Sequence, residues 1–149
     1  MIFFAICGIF NMATLKKLVI VSDLDNTLCS LKTPEQSYLE VSPYTDVISA
    51  LNDIHSNGGE VIIDTARNMV TQNNDESKAI KNIGLDTLNW LKNNNVQYDG
   101  ISFGKTCGTC YVDDKALRPK EFLSIYNSLK DKTDMKELQE KINLYLNTH

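Results

Sequence analysis

The sequence predicts an α/β domain on a doubly wound, mainly parallel sheet of about four strands. Three observations carry this reading. Short β-branched apolar runs alternate with segments whose apolar residues recur at helical spacing. The order strand, helix, strand, helix, strand is that of a parallel sheet with crossover helices. Several of the apolar runs also stop at Asp, Thr or Lys, and the carboxyl ends of strands are where such sheets bind ligands.

The elements follow in order. Leu18–Ser22 is a continuous apolar run of strand length, read as a buried parallel strand. From Pro43 through Ser56, Val47, Ile48, Leu51 and Ile54 share one helical face. Asn57-Gly58-Gly59 ends that helix, because Gly accepts the left-handed conformation a helix end needs. Glu60–Ile63 is a second strand, rich in Val and Ile. Asn68 through Ser77 is too polar for a core and reads as a loop over one end of the sheet. Ala79 to about Asn93 is a helix with Ile80, Ile83, Leu88 and Leu91 on or near one face. Asp99–Phe103 is a third strand and Tyr111–Val112 a short fourth. Pro119 suits the first turn of a helix that buries Phe122, Leu123, Tyr126 and Leu129. A last helix over Asp134–Leu146 carries Leu138, Ile142 and Tyr145. With no repeat and no linker, residues 14–149 form one domain.

Composition narrows the function. The chain has 149 residues, enough for one ordinary core. Its formal charge of −4 argues against binding long nucleic acid, which needs a basic face. The apolar start MIFFAICGIF is shorter than the roughly 20 residues of a membrane span and lacks the charged lead of a signal peptide. Residues 1–13 therefore read as an extension, the other readings being a packed extra strand or a weak membrane anchor, and no membrane partner is expected. The four cysteines are expected as reduced thiols in the cytoplasm. The C-G-T-C run at 107–110 does not open a helix, as a thioredoxin-type pair should, so it reads as a loop with two thiols.

The residues at the strand ends decide the chemistry. After the first strand come Asp23, Asp25 and Thr27; after the second, Asp64, Thr65 and Arg67; then Lys105; then Asp113 and Asp114. Two carboxylates about 4 Å apart repel by about 4 kcal/mol at an effective dielectric of about 20. A cluster of four such groups calls for a divalent cation, a lysine, a proton on one member, or all three. Oxygen-only ligands suit Mg²⁺. A proton on one carboxylate would equip it as a general acid.

D-L-D-N-T (23–27), V-I-I-D-T (61–65), Lys105 and Y-V-D-D (111–114) resemble, in order, the four motifs of the haloacid dehalogenase-like (HAD) superfamily of phosphohydrolases. T-A-R-N-M (65–69), Y-D-G-I-S-F-G-K (98–105) and Y-V-D-D-K-A-L-R-P-K-E-F (111–122) are similar to its small phosphatases linked to capsule-polysaccharide biosynthesis. The similarity runs from about Leu18 to Phe122. It departs at T-C-G-T-C (106–110), which is shorter than the family's loop there.

The resemblance implies a Rossmann-like domain and a Mg²⁺-dependent phosphomonoesterase. Asp23 would be the nucleophile that forms an aspartyl-phosphate, and Asp25 the general acid and base. Thr65 and Lys105 would bind the phosphoryl oxygens. Asp23, Asp25, Asp113 and Asp114 would hold Mg²⁺. Arg67 and Asn68, which follow Thr65, are placed to touch the rest of the substrate; the other reading of Arg67 is a loop residue paired with Asp64 or Asp75. Neither gap between motifs has room for a separate cap domain. The expected substrate is a small phosphorylated metabolite, a sugar phosphate by resemblance. The alternatives are a nucleotide or polynucleotide-end phosphatase, and a receiver domain that accepts a phosphoryl group without turning it over.

Overall fold

The computed structural model describes residues 17–149, and the extension at residues 1–13 lies outside them. Three strands, β1 (Val19–Ser22), β2 (Glu60–Asp64) and β3 (Gly100–Ser102), form a parallel sheet in the order β1-β2-β3. Four helices accompany it: α1 (Thr45–Ser56), α2 (Glu76–Asn93), α3 (Pro119–Asn127) and α4 (Met135–Thr148). In register, Val19 stands opposite Glu60 and Ser22 opposite Ile63, so the chain emerges from β1 and β2 at the same end of the sheet.

Local chemistry sets the helix ends. Asp75 accepts the Lys78 N–H at 3.0 Å, and Asp134 accepts the Glu137 N–H at 2.8 Å. Each satisfies a donor that the first helical turn leaves free. The Asp75 cap starts α2 three residues before the predicted Ala79. Pro119 opens α3 as predicted, and the Glu121 carboxylate accepts the Arg118 N–H at 2.7 Å.

All four helices feed one apolar cluster. Leu51 and Ile54 of α1, Trp90 and Leu91 of α2, Phe122 and Ile125 of α3, and Leu138 and Ile142 of α4 meet the sheet face carrying Leu18, Val61 and Ile63. Val19, Val21 and Ile62 point to the other face and take no part in it. Val19 is 49% and Val21 63% exposed, so among the described residues β1 is an edge strand with one open face rather than a strand buried on both.

One prediction is thereby corrected. Tyr111–Val112 forms no strand among the described residues: Tyr111 is exposed and Val112 is 99% exposed. Two apolar residues before a charged pair offer little area to bury, and Tyr111 turns to Lys105 instead. Among the described residues the helices gather on one face of the three-stranded sheet. Right-handed crossovers that step from β1 to β2 to β3 keep α1 and α2 on one face. The reversal that would load the other face needs a strand beyond β1.

The turn between α1 and β2 tests how tightly this layer is packed. A Cβ on Gly59 would overlap Cγ2 of Ile54 and stand 3.0 Å from its carbonyl oxygen. Gly59→Ala should therefore destabilise the protein by about 1–3 kcal/mol in urea denaturation. A variant equal to wild type would show that the α1–β2 junction yields.

Candidate active site

Asp23 follows directly on β1, and the D-L-D run sorts itself by alternation. Leu24 is fully buried, while Asp23 and Asp25 keep side-chain exposures of 35% and 23%. The chain then turns sharply. The N–H groups of Thr27, Leu28 and Cys29 all reach the Leu24 carbonyl, and Asn26 adopts a left-handed φ of 60°. Asn tolerates that conformation better than most residues, which accounts for its place after Asp25.

Each carboxylate has its own cation. Lys105 Nζ lies 3.4 Å from Asp23 Oδ1. Arg67 Nη2 donates to Asp25 Oδ1 at 2.8 Å and Arg67 Nε donates to Oδ2 at 3.1 Å, a two-point grip. Burial pushes the Asp23 carboxyl above its usual range, although the Leu24 N–H and Lys105 pull the other way.

Arg67 departs from the loop reading offered by the sequence. Its side chain has no exposure and pairs with neither Asp64 nor Asp75. Beyond Asp25 it donates through Nη1 to the Thr87 hydroxyl at 3.3 Å and through Nη2 to the Cys29 sulfur at 3.5 Å. The Tyr38 ring covers it, with its centre 4.4 Å from the guanidinium carbon. Burial, then the Asp25 charge, push the Tyr38 hydroxyl up from its ordinary value. Tyr38, Cys29 and Thr87 were not singled out from the sequence as site residues. Cys29 follows Asp25 at the i+4 spacing, but nothing in the spacing marks Tyr38 or Thr87.

Thr65 and Asn68 flank Arg67. Thr65 is fully buried at the end of β2, and its hydroxyl oxygen accepts the Arg67 N–H at 3.1 Å. That leaves its O–H proton to donate. Asn68 has a φ of 65°, and its side-chain nitrogen is buried without a hydrogen-bond partner. An unpaired buried donor is costly unless something else meets it.

The other two acidic residues stand apart. Asp113 and Asp114 lie in an exposed segment, where an Asp113 oxygen accepts the Lys115 N–H at 2.8 Å. Among the described residues no three His, Cys, Asp or Glu side chains converge as metal ligands. The predicted four-carboxylate Mg²⁺ set is thus not assembled in this arrangement. Lys105 and Arg67 meet Asp23 and Asp25 instead. Two surface concavities, one along Ile48 and Asn52 and one along Leu88 and Val96, contain none of these residues. No described helix is long and apolar enough to cross a membrane.

A crystal structure of a structural-genomics target from Vibrio cholerae is similar to this chain. The two are 35% identical, the match covers 86% of this chain and 98% of the other, and the TM-score is 0.67. No family model and no curated protein matches the sequence.

Proposed function

We propose that this chain, which belongs to one family with the Vibrio cholerae protein, is a phosphomonoester hydrolase that works through an aspartyl-phosphate on Asp23. The fold in this reading is Rossmann-like and HAD-like, without a cap domain. The substrate is a small phosphorylated metabolite of the cytoplasm, a sugar phosphate on the way to a polysaccharide such as capsule. One observation supports the reading above the others. Asp23 is partly exposed where β1 ends, with Lys105 3.4 Å away, while the intervening Leu24 is buried.

In this reading an Asp23 oxygen attacks phosphorus and the alcohol leaves, taking a proton delivered at Asp25. Asp25 then takes a proton from the water that attacks the aspartyl-phosphate, and inorganic phosphate departs. Both Asp25 oxygens accept from Arg67 and Oδ1 also accepts from the Cys29 thiol, but Oδ2 keeps a second lone pair for that proton. Lys105 and the Thr65 O–H stabilise charge on the transferring oxygens. The unpaired Asn68 nitrogen supports a contact to the leaving group.

Hydrolysis of a generic aryl phosphate tests the reaction, and a panel of sugar phosphates and nucleotides tests the substrate. Stoichiometric labelling by acetyl phosphate without turnover would replace the hydrolase by a receiver domain.

A Mg²⁺ requirement belongs to the same proposal. It rests on the oxygen-only chemistry of Asp23, Asp25, Asp113 and Asp114 and on their order in the chain. It requires residues 111–114 to approach the end of β1. Millimolar Mg²⁺ should then raise the melting temperature of wild type, and raise it less in Asp113→Asn and Asp114→Asn. An unshifted wild-type melt would remove the metal from the proposal.

A further inference from the structure

The five residues between Lys105 and Tyr111 hold the two exposed free thiols among the described residues, Cys107 and Cys110. They do not serve packing, because every residue from Thr106 to Asp114 is exposed. Cys29 differs. It is fully buried, and burial, then the nearby Asp25 charge, push its thiol up to about 12.

The loop is tied at both ends. Lys105 Nζ sits 3.4 Å from Asp23 and 4.7 Å from the centre of the Tyr111 ring. The Tyr111 hydroxyl donates to the Thr106 carbonyl at 2.5 Å. Between these ties the chain bends at Thr109. It folds closely enough that a Cβ on Gly108 would meet the Cys110 carbonyl oxygen at 3.4 Å. A pair three residues apart across a bend can close a disulfide when its Cα atoms come within about 4.4–6.8 Å of each other.

We propose that Cys107 and Cys110 form a reversible dithiol–disulfide switch that resets the placement of Lys105. The effect on catalysis rests on the function proposed above; the thiol chemistry does not. The oxidant is a low-molecular-weight disulfide. One cysteine thiolate attacks it and expels a small thiolate. The second cysteine attacks the resulting mixed disulfide and expels the other. The two protein thiols lose two electrons and two protons, and the small disulfide becomes two thiols. The ring closed in this way narrows the span between Thr106, which follows Lys105, and Tyr111, whose ring lies against the Lys105 ammonium.

The test equilibrates the full chain with mixtures of oxidised and reduced glutathione, traps free thiols with N-ethylmaleimide and maps peptides by mass. The expected result is an intramolecular Cys107–Cys110 bond, reversed by dithiothreitol, with Cys29 unmodified in the native protein. Hydrogen exchange across residues 104–112 should slow in the oxidised form, and neither Cys107→Ser nor Cys110→Ser should show the change. Aryl phosphate turnover should fall by about tenfold or more on oxidation, the scale expected when a positioned charge moves by about 1 Å. Glutathione adducts on both cysteines without an intramolecular bond would overturn the switch. So would a disulfide that leaves exchange at 104–112 unchanged, or one that leaves a measurable turnover unchanged. Slowed exchange with no turnover in either redox state would instead overturn the phosphatase reading and leave the switch standing.

Discussion

Asp23→Asn should abolish aryl phosphate turnover, by on the order of 10⁴-fold or more, the scale seen when a nucleophile is removed. An amide of the same shape cannot form the aspartyl-phosphate. The fold should survive, and the stability should move in a direction that identifies the cause. Burial holds the Asp23 carboxyl above its usual range in the folded protein. The folded state therefore binds that proton more tightly than the unfolded chain. Stability falls as pH rises from the unfolded pKa to the folded one, and the loss persists above both. Asn has no such proton to lose. At pH 7 the variant should melt at the same temperature as wild type or higher. That difference should shrink as pH falls below the ordinary Asp value of about 3.9. Normal turnover in the variant would end the assignment of Asp23 as nucleophile. A clearly lower melting temperature at pH 7 would mean that the Lys105 pairing outweighs desolvation.

Arg67→Ala should give the largest loss of stability, about 3–5 kcal/mol, because it leaves Asp25 partly buried with no counter-charge. The Thr87 hydroxyl and the Tyr38 ring lose a partner in the same step. Arg67→Lys should recover only part of the loss. A single ammonium cannot grip both Asp25 oxygens and still reach Thr87. The double variant Arg67→Ala/Asp25→Ala should lose less than the two single losses added together, since neither charge is then stranded. Urea denaturation of the set decides this. A loss under about 1 kcal/mol for Arg67→Ala would put the pair in the class of solvent-screened surface bridges and refute its burial.

The backbone of the sheet was legible because its apolar runs were local and well bounded. β1, β2 and β3 fall within one or two residues of the predicted runs. The α2 face was less legible. Ile80 and Leu88 were expected inside and are 42% and 40% exposed, while Thr87 and Trp90 are buried. A polar residue at the centre of that face makes sense only once Arg67 is known to need it. The Trp90 indole is likewise placed by a distant contact, donating to the Val41 carbonyl at 2.9 Å. Periodicity counts apolar residues and cannot see such partners.

The same limit applied at the candidate site. Asp23 and Lys105 were read from motif order, and they do meet. Arg67 was read as a substrate contact or a loop residue and its grip on Asp25 was not foreseen, because its partners Asp25, Cys29 and Thr87 come from distant parts of the chain. The Tyr111–Val112 run was read as a strand from its residue types alone. Whether two residues find a neighbouring ladder is a property of the whole sheet, which no short window contains.

The open face of β1 has a consequence for how the strand finds its place. Val19 and Val21 on one side are nearly as apolar as Leu18 and Ile20 on the other, so the strand itself says little about which side should face the helices. Among the described residues β1 also meets the sheet along one edge, through four paired residues. A slip of one position would exchange its faces. Near its start, the Glu60 N–H donates to the Leu18 carbonyl at 2.8 Å and Lys17 pairs with Glu60 at 3.4 Å. At its far end the penalty is sharper. Any one-residue slip would carry Asp23 or Asp25 into the fully buried position that Leu24 fills. Charge placed for chemistry thus also acts as a stop, denying the strand a one-residue slip in either direction.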